Sequence, residues 1–202
     1  MLIKRTSMRK PLLTSLFIMA MATSGAAAKT PLRAACETGD ARACFDLGLA
    51  HARGRDLPKA AAFYDKSCRG GLARGCFFLG ILHLRGIGMR RDAPRAARLF
   101  DRACGGGHAT ACNMLGGMYL KGIGVPRDRR RAAALFDATC KTGNARGCHA
   151  LGMMYAAGIG LRRDGKRAAA LFREACEKGY KTSCSGRVKG YAKGRGLDMR
   201  QR

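Results

Sequence analysis

The 202-residue chain has no tryptophan, five tyrosines, eight phenylalanines and four histidines. So few aromatic rings leave little for bases to stack on, which argues against a nucleic-acid platform. Four dispersed histidines do not supply the clustered His/Asp set of a metalloenzyme. No two cysteines lie closer than eight residues. Zinc sites pair cysteines two to four apart, and dithiol oxidoreductases use Cys-x-x-Cys, so neither chemistry fits. Acids are scarce, with 13 Asp+Glu against 39 Lys+Arg, and the net charge is +26. Long hydrophobic runs are also missing. The single candidate, PLLTSLFIMAMA at 11–22, is too short to span a bilayer comfortably.

That run has a different use. Lys4, Arg5, Arg9 and Lys10 precede it and SGAAA follows it. A basic start, a short apolar core and a small-residue exit form a secretory signal peptide over residues 1–28, with cleavage after Ala28. Cys36 follows charged Arg33 and is separated from the apolar core, which argues against a lipoprotein site. All ten cysteines lie beyond the cut, where an oxidising compartment, periplasmic or extracellular, turns paired thiols into disulfides. The mature chain keeps +22 and no transmembrane segment. Such a field favours acidic partners, or it serves solubility, or it reflects a genome rich in arginine codons.

The cysteines stand at 36/44, 68/76, 104/112, 140/148 and 176/184. First members are separated by 32, 36, 36 and 36 residues, a period that marks a solenoid. Leu-Gly pairs at 47/48, 79/80, 115/116 and 151/152 follow each second cysteine. The words GIGMRRD, GIGVPRD and GIGLRRD come next, then RAARLF, RAAALF and RAAALF. Each unit reads as two helices. In the fourth, Cys148, Leu151, Gly152 and Tyr155 recur at three and four over 145–157, one buried helical face. Gly158-Ile-Gly160 stops that helix. Asp164 caps the next, as Asp56, Asp92 and Asp128 do in their units, and Ala168, Ala169, Leu171 and Phe172 form its apolar stripe.

Spacing eight places the first cysteine at one helix end and the second in the first turns of the next. Gly39, Gly71, Gly107, Gly143 and Gly179 fall three residues after each first cysteine, where a left-handed C-cap suits glycine. Ala, Gly or Ser precedes each second cysteine and lets the helices approach. Each pair therefore staples a helical hairpin, within the reach of a disulfide, and contributes roughly 2–3 kcal/mol.

The Leu-Gly-x-x-Tyr-x-x-Gly-x-Gly pattern, as in LGMMYAAGIG at 151–160, resembles the Sel1-like repeat, a relative of tetratricopeptide repeats. With a Cys-x7-Cys in every unit, the chain is similar to the Helicobacter cysteine-rich type. The resemblance implies an all-α, right-handed α/α superhelical solenoid over 29–194. Its units are 41–72, 73–108, 109–144 and 145–180, with a half-repeat at 181–194 and a basic tail at 195–202. Pro31 to Thr38 reads as a lone second helix capping the start. The first unit lacks four loop residues, and Val188 stands where glycine is usual.

The resemblance further implies a monomeric scaffold with no cofactor, binding a protein or acidic peptide, or an acidic cell-envelope polymer, through a concave face lined by first helices. Candidate contacts lie one residue after the second cysteine, where Asn113 and His149 follow Phe45 and Phe77, the last two also being core candidates. Nine residues after it stand Arg53, Arg85, Lys121 and Lys193, a basic ladder or a solvated edge that complements the helix dipoles. Tyr119, Tyr155 and Tyr191 hold the family's packing position. His51 and His83 replace that tyrosine in the first two units; stacked imidazoles raise a metal site, and repeat equivalence explains them without one. β-lactamase or penicillin-binding activity is the alternative the resemblance carries. Its Ser-x-x-Lys occurs only at Ser7–Lys10, in the leader, and its Lys-Thr-Gly at 141–143 is the turn beside Cys140.

Overall fold

The computed structural model describes residues 29–184. The leader expected over 1–28, and the remainder of the expected half-repeat and tail with Val188, Tyr191 and Lys193, lie outside that range. Among the described residues there are nine α-helices and no strand. A lone helix, α1 (Lys29–Glu37), precedes four helix pairs: α2 (Ala41–Arg53) and α3 (Leu57–Arg69), α4 (Ala73–Arg85) and α5 (Ala93–Gly105), α6 (Ala109–Lys121) and α7 (Arg129–Lys141), α8 (Ala145–Ala157) and α9 (Gly165–Glu177). A 3-10 turn, Lys181–Cys184, opens the final half-repeat. Each helix packs on its neighbours in sequence, so the elements stack as an α/α solenoid.

Local chemistry sets these boundaries. Asp56, Asp92, Asp128 and Asp164 each accept a hydrogen bond from the amide three residues on, at 3.3, 2.8, 2.9 and 2.9 Å. Asp40, His108 and Asn144 cap the first helices α2, α6 and α8 in the same way. At the far end of α4, α6 and α8, glycine takes the left-handed conformation that a side chain would strain.

Within each unit the two helices meet through a glycine and a ring. The rings of Tyr64, Phe100, Phe136 and Phe172 lie against Gly48, Gly80, Gly116 and Gly152. A Cβ added to Gly116 would stand 2.8 Å from Phe136 Cε1, and the other three contacts are as tight. The Leu-Gly word is therefore a paired instruction. Leucine enters the core, and glycine removes the methyl that would hold the aromatic away.

The disulfides bridge the second helix of one unit to the first helix of the next. All five pairs join at spacing eight, with Cα separations of 4.4–5.0 Å. Gly39, Gly71, Gly107, Gly143 and Gly179 all have positive φ in the intervening turn. The residues just before the two cysteines face each other with matched bulk. Ser67 and Thr139 oppose Gly75 and Gly147, whereas Ala103 opposes Ala111. A Cβ on Gly75 would come within 2.5 Å of Ser67 Oγ.

At the opposite edge, the loop between paired helices closes with one recurring bond. The amides of Asp92, Asp128 and Asp164 donate to the carbonyls of His83, Tyr119 and Tyr155 at 2.9–3.0 Å. The first unit, four residues shorter, makes the same bond from Asp56 to His51 at 2.9 Å. Its tighter path sets Arg55 at φ 59°, the one described non-glycine residue in the left-handed region, a conformation that costs an L-residue roughly 1–2 kcal/mol.

Two neighbouring glycines in α6 test the glycine–ring contact. Gly116→Ala is expected to lower stability by about 1–3 kcal/mol, the usual cost of overpacking. Gly117→Ala, whose new methyl meets nothing within 4 Å, is expected to be neutral or to gain up to about 1 kcal/mol from helix propensity. Denaturant unfolding of the two oxidised variants checks this; equal effects would contradict the contact's importance.

Candidate functional site

Arg53, Arg85 and Lys121 end α2, α4 and α6, all exposed, and none forms a hydrogen bond or ion pair among the described residues. Ala157 occupies the equivalent place in α8, and Lys193 lies outside the described range. The ladder thus has three described cations at equivalent helix ends.

The row one residue after the second cysteine is already occupied. Phe45 is 3 % exposed, edge-on to Phe78 at 5.4 Å and beneath the Arg74 guanidinium at 5.1 Å. Phe77 stacks on His108 at 4.3 Å. Asn113 donates to Asn144 Oδ1 at 2.9 Å and accepts from Thr139 Oγ1 at 2.7 Å. His149 Nδ1 lies 2.7 Å from Ser183 Oγ, with its ring 4.9 Å from Tyr180. Each residue reaches the start of the next first helix, so this row ties unit to unit. The structure does not join Asn113 and His149 to the basic ladder in one site. Sequence spacing placed the row correctly on the first helices but could not show that its side chains were spoken for.

The histidine pair also separates. His51 stacks on Phe63 at 5.2 Å, with Nδ1 3.7 Å from Asp56. His83 is 8 % exposed, and its Nδ1 has no partner. Tyr119 and Tyr155, the equivalents in later units, lie half-buried under arginines: Arg131 stands 4.6 Å over the Tyr119 ring, and Arg167 donates to the Tyr155 hydroxyl at 3.3 Å. Among the described residues, the one group of three metal-type ligands is Cys140, Cys148 and Glu174. Its two sulfurs are joined to each other. The Lys-Thr-Gly stretch is a helix end: Lys141 pairs with Asp137 at 2.6 Å, Thr142 donates to the Thr139 carbonyl, and Gly143 turns the chain at φ 86°.

Other cations escaped the sequence reading. The loops after α4, α6 and α8 and the first turn of α7 carry exposed arginines, among them Arg90, Arg127, Arg130, Arg162 and Arg163. A cleft of about 470 Å³ beside them is bounded by Pro94, Arg98, Tyr119, Val125 and Arg131. Their signal was present as arginine recurring at a 36-residue period inside the GIG words.

Three histidines titrate below the ordinary range. Burial is the main cause for His83, His108 and His149, helped by Arg95 at His83 and by Arg74 at His108. His108 Nδ1 also accepts the Ala111 amide at 3.2 Å, a cap that needs the neutral ring.

The Sel1 repeat family model matches residues 41–72, 73–108, 109–144 and 145–180. A Sel1 repeat protein from Oxalobacter formigenes is similar in structure, with TM-score 0.73 and 26% identity, covering 85% of this chain and 70% of that one. A protective antigen of uropathogenic Escherichia coli with an SLR fold gives 0.75 and 27%, over 82% of this chain and 36% of that one. Helicobacter pylori cysteine rich protein B gives 0.47 and 26%, over 59% and 94%. No curated protein matches the sequence.

Buried His83 and half-buried His108 and His149 predict an acid-side loss of stability. Their folded values lie below the unfolded value of about 6.5, so the unfolded chain binds more protons as pH falls through that value. Thermal unfolding of the oxidised protein is expected to be level above neutrality and to drop progressively from there toward pH 5. His108→Asn, which keeps a cap acceptor, is expected to flatten part of the drop. An unchanged midpoint across this window would contradict the assignment.

Proposed function

Because the chain belongs to the Sel1 repeat family, we propose that it is an exported, disulfide-stapled scaffold whose first-helix face binds an acidic partner. It acts by holding that partner, not by transforming it. Ten cysteines in five disulfides support an oxidising compartment outside the cytoplasm, in keeping with the leader expected over 1–28. Family membership supports a protein or peptide as the partner. The β-lactam alternative draws on resemblance alone.

The observation that carries the acidic preference is the ladder itself. Arg53, Arg85 and Lys121 are exposed at equivalent ends of successive first helices, without ion pairs among the described residues. The first three units repeat one cation each at the same helix end, and an extended acidic chain meets such a row without distortion. Exposed charges of this kind contribute modestly one by one, so the binding is cooperative in length and sensitive to salt.

Changing Arg53, Arg85, Lys121 and Lys193 together to Gln is expected to weaken binding of fluorescent poly-glutamate by about tenfold and to flatten its salt dependence. Fluorescence anisotropy across a salt series reads both. Unchanged affinity and slope would reduce the ladder to a solvated edge.

A further inference from the structure

The positive charge is not spread evenly over the solenoid. The loops and first turns at 85–95, 121–131 and 157–167 hold thirteen Lys/Arg and three acids. The three acids are Asp92, Asp128 and Asp164, each committed to a helix cap. Of the thirteen bases, Arg91 donates to the Leu84 carbonyl, Arg131 covers Tyr119, and Arg167 binds Tyr155 and Asp164. Arg90, Arg127, Arg129, Arg130, Arg162 and Arg163 are exposed with no hydrogen bond or ion pair among the described residues. At the disulfide edge, by contrast, Arg33–Glu37, Arg69–Asp65, Lys141–Asp137 and Lys178–Glu174 pair off. A coat that served solubility alone has no need to be one-sided.

These loops also form a row. The second glycine of each, Gly88, Gly124 and Gly160, sits on the first residue of the preceding unit's second helix: Leu57, Ala93 and Arg129 respectively. A Cβ would come within 2.5 Å of Leu57 Cβ at Gly88 and within 2.6 Å of Arg129 Cβ at Gly160. Every loop is thereby seated on the unit before it, and its arginines continue those of its neighbour.

We propose that this loop edge is a binding rail for a linear phosphate-bearing polymer. Eleven of the thirteen bases are arginines, whose planar forks meet two oxygens of a phosphate at once. Protein partners anchor on buried aromatic and aliphatic side chains, but the edge exposes no large hydrophobic side chain among the described residues, and the cleft at Tyr119 and Val125 is rimmed by Arg98 and Arg131. A polymer bound through repeated phosphates needs none. Arg85 and Lys121, counted among the thirteen, also belong to the first-helix ladder; what the rail adds is the loop arginines, and these are separable from the ladder by mutation.

The probe is long-chain inorganic polyphosphate, titrated into the oxidised protein across a salt series. The wild type is expected to bind with a steep salt dependence. Changing Arg90, Arg127, Arg130, Arg162 and Arg163 to Gln is expected to weaken binding by at least about tenfold and to flatten the slope. Changing Arg42, Arg69, Lys141, Arg146 and Arg173, an equal charge loss elsewhere, is expected to change it less than about threefold. Equal loss in both variants, or no binding by the wild type, overturns the rail. Competition by poly-glutamate at matched charge, or equal binding to phosphatidylglycerol vesicles, overturns the assignment to a phosphate polymer. The ladder variant shares no residue with the rail variant, so failure of either surface reads out separately.

Discussion

The structure depends on how closely one unit can approach the next. In a solenoid each unit touches only its neighbours, so stability is a sum of small cores and the junctions between them. The cores here rest on one ring, a few leucines and many alanines per unit. The disulfides fall at the junctions, joining the second helix of each unit to the first helix of the next. A short closed loop of this kind contributes roughly 2–3 kcal/mol, placed where fraying would otherwise begin. The close approach it demands is provided by small residues beside the sulfurs; at two junctions a hydroxyl, of Ser67 or Thr139, is met by Gly75 or Gly147 on the other helix.

Once the junction is fixed, the two edges acquire separate roles. At the disulfide edge, tight turns hold local ion pairs such as Arg69–Asp65 and Lys141–Asp137. At the loop edge, glycines seat each loop on the previous unit and arginines turn outward. Between the edges, side chains that follow the second cysteine, such as Asn113 and His149, bond across to the next unit. The cations left exposed and without ion pairs among the described residues accordingly include those of the basic helix ends and the loops, Arg53, Arg85, Lys121, Arg127 and Arg163 among them.

Much of this was legible in the sequence. The 36-residue period located the helices, the Asp caps and the left-handed glycines, because each depends on backbone geometry that a few residues control. The cysteine spacing indicated which sulfurs meet. Side-chain partnerships were less legible. Gly152 read as part of a buried face, yet its reason is the Phe172 ring across the hairpin. Periodicity assigned His51 and His83 the same position, yet one stacks on Phe63 near an acid and the other is buried with an unpartnered nitrogen. Gly160 read as part of a helix stop, yet its second role is to admit the start of α7 at Arg129. A repeat pattern tells where a residue stands on its own helix; what faces it depends on the stacking of units.

The most direct test of this account is peptide mapping of the protein without reduction. Cleaved within the units, it is expected to yield linked fragments pairing Cys36 with Cys44, Cys68 with Cys76, Cys104 with Cys112, Cys140 with Cys148 and Cys176 with Cys184, and no free thiol. Pairing across a longer span, or a reduced majority in protein taken directly from its native compartment, would contradict a solenoid stapled at its junctions.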